Sequence, residues 1–324
     1  MLERILIAGG AGFIGSHFVD RLLACDAVKR VTVFDNFSSG REWHLKHHAD
    51  KRLKIVRGEI AGLDVLSQAM QGHETVIHLA SNPDIRRAVA QPSIDFHQGT
   101  ALTQCIVEAM RVSKARRILY ASGSGVYGDL GEVEAKEDYG PLKPISTYGA
   151  SKLAGEALIS AYAHMFEFSG IAFRFGNVVG PRQTHGVGYD FVKKLRSNAR
   201  ELQILGDGSQ SKSYVHVSDI IDAVLLADEK VSETFDVFNV ATGDYMTVAE
   251  IARIAVEEVL GASAEVELKY SGGDRGWKGD VPIVRLNTDK IKSLGWCPKY
   301  SSAEAMRMSI RDLMMSGDLL VEKQ

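Results

Sequence analysis

Tyr148 and Lys152 are the residues whose types and spacing most directly suggest acid–base chemistry in this chain. They stand four positions apart in Tyr148-Gly149-Ala150-Ser151-Lys152, and residues four apart on a helix share one face. A phenol is a poor base at its ordinary pKa of about 10, but a neighbouring ammonium favours the phenolate and lowers that pKa. The pair therefore predicts a proton acceptor that is usable near neutral pH.

Many proteins carry a tyrosine and a lysine on one helix face for structural reasons alone, so the pair gains its weight from the rest of the chain. The helix itself is expected to begin here, because Ser146 or Thr147 can cap it. Pro141 and Pro144 keep the preceding chain extended. The pair is thus predicted to lie at a helix N-terminus, close to the end of an incoming loop.

A glycine-rich turn near the start of the chain predicts a dinucleotide site. The apolar run over residues 5–8 is typical of a strand buried on both faces, and a helical pattern follows over 16–24. Glycines between them permit a tight turn, close approach to a pyrophosphate and close packing of the helix, whose N-terminal amides favour phosphates. The turn residues expected at the cofactor are Gly9, Gly12, Phe13, Ile14 and Gly15.

A carboxylate follows the second predicted strand, over residues 31–34, about 20 residues beyond the glycines. Asp35 at this position can accept hydrogen bonds from the adenosine ribose hydroxyls and would repel a 2′-phosphate, so the sequence favours NAD over NADP. Two points weigh against this interpretation. The alternative is that Asp35 only starts a loop, and the nearby Arg41 is a cation of the kind that accommodates the 2′-phosphate of NADP.

Strands and helices alternate through the first half of the chain. Further strands are expected over 53–56, 75–79 and 117–120, with a helix over about 99–110. The alternation predicts an α/β fold with a Rossmann-like, doubly wound parallel sheet and a smaller C-terminal substrate-binding lobe. We expect an NAD-binding domain over 1–176 and a substrate-binding domain over 177–324, with segments near 213–240 returning to the first domain.

Composition excludes several other classes of protein. The chain has 324 residues, 45% of them hydrophobic and 24% charged, and a net charge of −3, which gives no indication of binding to nucleic acid or to a membrane surface. No apolar run approaches the ~20 residues that cross a bilayer. Cys25, Cys105 and Cys297 form no disulfide framework or metal spacing, so a reducing cytoplasm is expected.

Two groups of histidines are expected to be structural. His44, His47 and His48 predict a solvated helix face rather than a metal site, because no carboxylate or cysteine completes a ligand set in the sequence. His78, at the end of a predicted strand, is expected to be packed or bonded to backbone. No metal is predicted.

The chain resembles the extended short-chain dehydrogenase/reductases that act on nucleotide sugars, and most of all their UDP-glucose 4-epimerase branch. The matching motifs span nearly the whole chain. They are GGAGFIGSH at 9–17, DNFSSG at 35–40, HLAS at 78–81, VYG at 126–128, YGASK at 148–152, RFGNVVGPR at 174–182, LGDGSQSKSYVHVSD at 205–219 and GGDRGWKGDVP at 272–282.

The resemblance implies an NAD-dependent 4-epimerase of a UDP-sugar that works through a 4-keto intermediate. Tyr148 would be the acid/base, and Lys152 would orient the nicotinamide ribose. Further residues expected at the cofactor are Asn36, Ser38, Ser39, Gly40, Glu59, Ile60, Leu79, Ala80, Ser81 and Ser122. Residues expected at the substrate, besides Tyr148, are Ser124, Asn177, Lys212, Arg275 and Asp280. Family habit also implies a homodimer, paired through helices over about 99–112 and 148–166.

One departure from the family concerns catalysis. Relatives usually carry a catalytic Ser or Thr at the position of Gly123, four residues before the tyrosine of VYG. If the strand continued regularly, Ser122 and Ser124 would face away from the side that Gly123 faces. If a loop begins here, Ser124 can take the place of the missing hydroxyl. Either Ser124 is a catalytic residue, or the usual hydroxyl is absent.

Three rival functions are disfavoured by the sequence. A 4,6-dehydratase needs an added acid and base, and dehydratase relatives carry Asp-Glu where this chain has Ser124-Gly125. A decarboxylase is disfavoured because a family glutamate is missing at Gly125. A non-catalytic sensor of NAD or of a sugar nucleotide would have no need of the intact pair Tyr148 and Lys152.

Overall fold

The computed structural model describes residues 2–315. Its strands are β1 (Arg4–Ala8), β2 (Arg30–Asp35), β3 (Leu53–Arg57), β4 (Thr75–His78), β5 (Arg117–Gly123), β6 (Glu134–Ala135), β7 (Ser169–Phe175), β8 (Asn177–Val179), β9 (Glu201–Ile204), β10 (Ser211–Lys212), β11 (Tyr214–His216), β12 (Phe235–Val240), β13 (Met246–Thr247), β14 (Glu267–Tyr270) and β15 (Arg285–Leu286). Its α-helices are α1 (Phe13–Leu23), α2 (Leu63–Met70), α3 (Ala101–Ser113), α4 (Thr147–Phe166), α5 (Val187–Ser197), α6 (Val217–Lys230), α7 (Val248–Leu260), α8 (Asp289–Ser293) and α9 (Ser302–Met315).

A seven-stranded parallel sheet organises the described chain. Its strand order is β3-β2-β1-β4-β5-β7-β12. The strand order reverses between β1 and β4, so the sheet is doubly wound and its switch point lies between these two strands. Strand β1 leads into the glycine-rich turn, and β4 leads into the HLAS segment. The Rossmann-like parallel sheet predicted from sequence is confirmed.

Burial of β1 on both faces explains its unbroken apolar sequence. Ile5, Leu6, Ile7 and Ala8 are all fully buried. Ile5 and Ile7 pack into the cluster that contains α1 and α6, whereas Leu6 and Ala8 pack into the cluster that contains α2, α3 and α4. Because successive residues of a strand point to opposite faces, a strand covered on both sides has no polar position.

Several element boundaries differ from the sequence prediction. Helix α1 begins at Phe13, inside the glycine-rich turn, and β5 continues to Gly123. A π-helical turn, Phe96–Thr100, precedes α3. Strand β5 is longer than predicted because its last residues, 121–123, pair with residues 173–175 of β7.

The two segments expected to return to the first domain behave differently. Strand β12 joins the central sheet beside β7, whereas β11 pairs with β8 in a separate two-stranded sheet. A further apolar cluster is built by α5, α7 and α9 with β9 and β11. We propose a division near residue 176, with α6 and β12 belonging to the first domain.

Among residues 2–315, no helix is both long and apolar enough to span a membrane.

Candidate active site

A cleft of about 1030 Å³ opens at the carboxyl edge of the central sheet. The glycine-rich turn and the ends of β2, β4 and β5 form one wall, and residues from the second half of the chain form the other. Ligands of doubly wound sheets bind at this edge. The cleft therefore has the position expected of a cofactor and substrate site.

Most of the residues predicted for the site line this cleft. They are Gly9, Gly12, Phe13, Ile14, Gly15, Asp35, Asn36, Ser38, Ser39, Glu59, Ile60, Leu79, Ala80, Ser81, Ser122, Ser124, Tyr148, Lys152, Asn177, Lys212 and Asp280. Gly40 and Arg275 are not among the lining residues. A Cβ on Gly40 would come within 2.9 Å of the Asp35 carboxylate, so this glycine packs behind the wall.

The glycine-rich turn is shaped for a backbone that approaches other atoms closely. Gly9 has a φ of +83°, and a Cβ there would lie 2.8 Å from the amide nitrogen of Ala80. A Cβ on Gly15 would lie 2.4 Å from the carbonyl oxygen of Gly9. Side chains are thus excluded at Gly9 and Gly15, and the N-terminal amides of the helix that follows favour a pyrophosphate. The turn fits a dinucleotide cofactor.

Asp35 ends β2 and fastens it to the glycine-rich turn. Its carboxylate accepts hydrogen bonds from the backbone amides of Ala11, at 2.9 Å, and Phe37, at 2.8 Å. Burial raises the pKa of Asp35, although these two hydrogen bonds act in the opposite direction. Beside it, the Asn36 amide donates to the Glu59 carboxylate. The acidic strand end that was predicted to contact ribose hydroxyls therefore lies in the cleft wall.

Helix α4 brings Tyr148 and Lys152 to the end of β5. Ser146 caps the helix by accepting a hydrogen bond from the Gly149 amide at 3.0 Å. A Cβ on Gly149 would lie 2.4 Å from the Gly125 carbonyl oxygen, so a larger residue would push the helix away. Ser146, of the two predicted candidates, is the cap.

Lys152 is held by the strand rather than by the tyrosine hydroxyl. Its Nζ donates to the carbonyl oxygen of Ala121 at 2.7 Å and lies 5.5 Å from the centroid of the Tyr148 ring. Burial lowers the pKa of Lys152 to about 8, opposed by the charges of Asp95 and Glu156. The ammonium is thereby fixed at one place in the cleft wall.

The pKa of Tyr148 differs from the sequence prediction. Burial of the phenol, with a smaller contribution from the charge of Asp95, raises it to about 12, and a hydrogen bond with Ser81 acts in the opposite direction. Asp95 is itself buried and accepts hydrogen bonds from Asn82 and from Thr147. Lys152 therefore does not offset the burial of Tyr148, and the phenol stays protonated at neutral pH in the protein alone.

Residues 122, 123 and 124, the three positions considered for a second catalytic hydroxyl, differ in their surroundings at the end of β5. Ser122 is buried and its hydroxyl donates to Glu156. Gly123 has an extended backbone and ends the strand, and a 3-10 helix begins at Ser124. Ser124 lines the cleft. The regular strand thus ends before Ser124. The sequence analysis predicted that, in this case, Ser124 can take the place of the missing hydroxyl.

A buried ion pair beneath Tyr148 was missed from sequence. Arg174 donates to both carboxylate oxygens of Glu156, at 3.0 and 2.8 Å, and to the hydroxyl of Tyr127 at 2.8 Å. Tyr127 in turn donates to Asn239 at 2.8 Å. Glu156 stands one helical turn beyond Lys152 on the same face, and this spacing is the signal that could have identified it. The network joins α4 to three strands of the sheet.

Residues from the second half of the chain form the opposite wall. Lys212 donates to the Asp280 carboxylate at 2.7 Å, which also accepts from the Gly276 amide at 3.1 Å. Asn177 forms a hydrogen bond with the buried Tyr214. A cation, a carboxylate and an amide thus lie together at this end of the cleft.

Arg275 lies behind that wall. Its guanidinium donates to the Asp129 carboxylate at 2.6 Å and to the backbone carbonyl of Asp280. Trp277 and Gly276 from the same loop line the cleft, and Lys278 is exposed. Arg275 would have to give up these hydrogen bonds to contact a diphosphate, so that contact stays a prediction.

The aromatic stretch after residue 184 has a mixed role. Phe191 is buried in the cluster of α5, α7 and α9, against which Tyr189 also packs, and both residues border the cleft together with His185. Burial lowers the pKa of His185. The start of α5 therefore contributes both to the core and to the cleft wall.

The histidine cluster corrects the sequence interpretation. His44 is buried and its Nδ1 is bonded to the carbonyl oxygen of Ala11 at 2.7 Å, so it is not on a solvated face. Asp20, from α1, supplies the carboxylate that the sequence did not reveal: its Oδ1 contacts Nε2 of His47 at 2.9 Å and Nε2 of His48 at 2.7 Å. His78 is packed as predicted, against Tyr120.

A parallel sheet with a glycine-rich turn, an acidic strand end and a Tyr–Lys pair at one edge defines a dinucleotide-dependent enzyme of the dehydrogenase type. The NAD dependent epimerase/dehydratase family matches residues 5–241, and the chain belongs to that family.

Its relatives and structural neighbours include several sugar-nucleotide epimerases. A UDP-glucose 4-epimerase of Mycolicibacterium smegmatis is 33% identical over 316 residues, which cover 95% of this chain and 97% of the relative. A crystal structure of UDP-galactose 4-epimerase matches with a TM-score of 0.85 at 35% identity, over 96% of this chain and 98% of that one. The UDP-glucose 4-epimerase of Thermus thermophilus, solved with NAD, matches with a TM-score of 0.84 at 29% identity, over 97% and 99%.

Proposed function

We propose that this chain is an NAD-dependent 4-epimerase of a nucleotide sugar, with UDP-glucose and UDP-galactose, or their N-acetyl or uronate forms, as substrates. The observation that carries the proposal is the position of Tyr148 and Lys152. Both line a single cleft that also contains the glycine-rich turn and the Lys212–Asp280 pair. Similarity to UDP-glucose and UDP-galactose 4-epimerases over more than nine-tenths of the chain supports it.

The residues of the cleft have separate tasks in this reaction. The glycine-rich turn and Asp35 would hold NAD, which would supply the acceptance and return of a hydride at C4 of the sugar. Tyr148 takes the proton of the C4 hydroxyl and gives it back, which requires its phenol within hydrogen-bond reach of that oxygen. Lys152, fixed on the Ala121 carbonyl, orients the nicotinamide ribose and adds positive charge beside the phenol.

A second hydrogen bond to the C4 oxygen is assigned to Ser124. The 3-10 helix that begins at this serine, and its place in the cleft lining, support the assignment. Ser122 is unsuited to that task because its hydroxyl is already donated to the buried Glu156.

The nucleotide end of the substrate is assigned to the second half of the chain. Lys212 suits the diphosphate, because an ammonium is a strong donor to phosphate oxygens. Asp280 would accept from the uridine ribose, and Asn177 would contact the phosphate side of the sugar. Arg275 becomes a second diphosphate ligand if its bond to Asp129 is exchanged for the substrate.

The alternatives are a 4,6-dehydratase and a non-catalytic sensor. Elimination of water needs an additional acid and base, and Ser124-Gly125 provides neither carboxylate. Burial of the Lys152 ammonium is unfavourable for stability. A non-catalytic sensor has no use for a charge at this place, whereas the epimerase reaction does.

One assay distinguishes the three functions. The purified protein is incubated with UDP-glucose, UDP-galactose, their N-acetyl forms and UDP-glucuronate, and the products are identified by NMR. We expect interconversion at C4 for at least one pair, with no 4-keto-6-deoxy product. A 4-keto-6-deoxy sugar would establish a dehydratase, and recovery of every substrate unchanged would favour the sensor.

We further propose that the chain forms a homodimer in the cytoplasm, paired through α3 and α4. Both helices leave large apolar side chains exposed: Val112 is 48% and Met165 is 69% exposed. The free cysteines Cys25 and Cys105 suit a reducing compartment. Sedimentation of the Met165→Glu variant tests the pairing, which predicts a shift from dimer to monomer; an unchanged monomer in both proteins would reject it.

A further inference from the structure

The structure assigns a second binding site to Asp20, His47 and His48, and we propose that it takes one divalent transition-metal ion of the zinc class. None of the three residues lines the cofactor and substrate cleft. Asp20 lies on α1, whereas His47 and His48 lie in the turn that follows a short 3-10 helix, Glu42–His44. The site therefore joins two segments that are separate in the sequence.

The ligand atoms already converge on one point. Nε2 of His47 lies 2.9 Å and Nε2 of His48 lies 2.7 Å from the same oxygen, Oδ1 of Asp20. The three ligand atoms all lie within 4.8 Å of one another. Tetrahedral zinc with bonds of about 2.0–2.1 Å separates its ligand atoms by about 3.3 Å, so a metal ion requires each imidazole to move by about half an ångström.

The donor set selects the class of metal. Two imidazole nitrogens and one carboxylate oxygen suit Zn²⁺, Co²⁺, Ni²⁺ and Cu²⁺. Mg²⁺ and Ca²⁺ are excluded as preferred ions because they require mostly oxygen ligands. Water completes the coordination, since His47 is 53% exposed and leaves one side of the site open to solvent.

Neighbouring side chains fix the orientation of the Asp20 carboxylate and direct its Oδ1 oxygen toward the proposed metal site. The Arg182 guanidinium bonds to Oδ2 of Asp20, so that Oδ1 is directed at the two histidines. His17 lies nearby, with Nδ1 at 4.0 Å from Oδ2. The nearby guanidinium repels a metal ion, and we therefore expect micromolar rather than nanomolar affinity.

Metal binding is expected to stabilise the cofactor lobe. The bound ion would tie α1, which begins in the glycine-rich turn, to the turn at residues 45–48. A ligand that binds only the folded chain stabilises it in proportion to the logarithm of its concentration over its dissociation constant.

The test is calorimetric titration of Zn²⁺ into chelator-treated, NAD-loaded full-length protein. We expect one ion per chain in the wild type. His47→Ala and His48→Ala should each weaken binding by at least about tenfold, because even the outer-shell partners of metal ligands are worth about 10–100-fold. His164→Ala, which removes an exposed histidine from α4, is the matched control and should leave the affinity unchanged.

A spectroscopic readout makes the result independent of enzyme activity. Co²⁺ in this site should give visible absorption bands typical of four or five ligands, which vanish in the His47→Ala, His48→Ala double variant. Asp20→Asn should weaken Zn²⁺ binding too, but it also breaks the ion pair with Arg182, so the histidine variants decide the question. The proposal is overturned if the wild type binds no Zn²⁺, or if the double variant binds it as tightly as the wild type.

Discussion

Gly123 faces the ring of Tyr148 across a space large enough for a side chain. A Cβ built on Gly123 would meet Cε1 of Tyr148 at 4.0 Å, an ordinary van der Waals contact, and no nearer heavy atom in the described chain. The backbone at Gly123 is extended, a conformation that any residue adopts. Contacts with other residues therefore do not require glycine at this position, and Gly123→Ser would place a Cβ beside the phenol of Tyr148.

This space gives a direct test of Ser124. Ser124→Ala should lower kcat by about tenfold if its hydrogen bond is worth about 1.4 kcal/mol in the transition state. Adding Gly123→Ser to that variant should recover part of the rate, whereas Gly123→Ala should not. Steady-state kinetics of the wild type, Ser124→Ala, the two double variants and Gly123→Ser measures this. If Ser124→Ala is silent and Gly123→Ser alone accelerates turnover, Ser124 is structural and the enzyme works without the usual hydroxyl.

Tyr148→Phe should remove turnover while leaving the fold and the cofactor in place. Only the proton-transfer group is lost, and general acid–base groups typically contribute about 10²–10⁴-fold. The epimerase rate, the thermal unfolding midpoint and the bound dinucleotide are measured together. Near-normal epimerisation by the variant would remove Tyr148 from its assigned role.

The pKa of Tyr148 should depend on the oxidised cofactor. In the protein alone burial raises it to about 12, so the phenol stays protonated throughout the neutral range. The positive nicotinamide ring favours the phenolate and must lower this pKa, so log kcat should rise with pH below the lowered value and level off above it. Tyrosinate absorbance with and without NAD⁺, compared with Tyr148→Phe, measures the shift; equal titrations in both states would contradict it.

Asp35→Ala should weaken NAD retention by roughly 1.5–3 kcal/mol, the range for hydrogen bonds to a charged group. Part of that loss is expected to come from a change in the glycine-rich turn, because Asp35 also accepts hydrogen bonds from the backbone amides of Ala11 and Phe37. Glu59→Ala is a useful comparison, since Glu59 lies in the same wall but accepts from Asn36 instead. The dinucleotide released on denaturation is identified by chromatography, and recovery of mainly NADP would reject the preference for NAD.

Arg174→Met should destabilise the protein by about 3–5 kcal/mol, because it leaves the buried carboxylate of Glu156 without its cation. The two side chains are only 4% and 5% exposed, so water cannot compensate. The double variant Glu156→Leu, Arg174→Met should lose less than the single variant, since no unpaired charge remains. Urea denaturation monitored by circular dichroism measures both; a double variant that is less stable than the single one would show that the network acts through its other bonds.

Local patterns determined the parts of this protein that depend on neighbouring residues in the chain. The apolar run of β1, the glycines before α1 and the spacing of Tyr148 and Lys152 each act over a few residues, where backbone geometry and burial leave few alternatives. The parallel sheet followed from them, whereas most of the other cleft residues were predicted through the resemblance to a family.

Only the tertiary structure decided which distant groups meet. Asp20 reaches His47 and His48 from 27 and 28 residues away, and Arg174 reaches Glu156 from a neighbouring strand. Such contacts, and the burial that raises the pKa of Tyr148, depend on how helices pack on the sheet. No local pattern encodes them, because electrostatic energies are set by distance and dielectric in space rather than by separation along the chain.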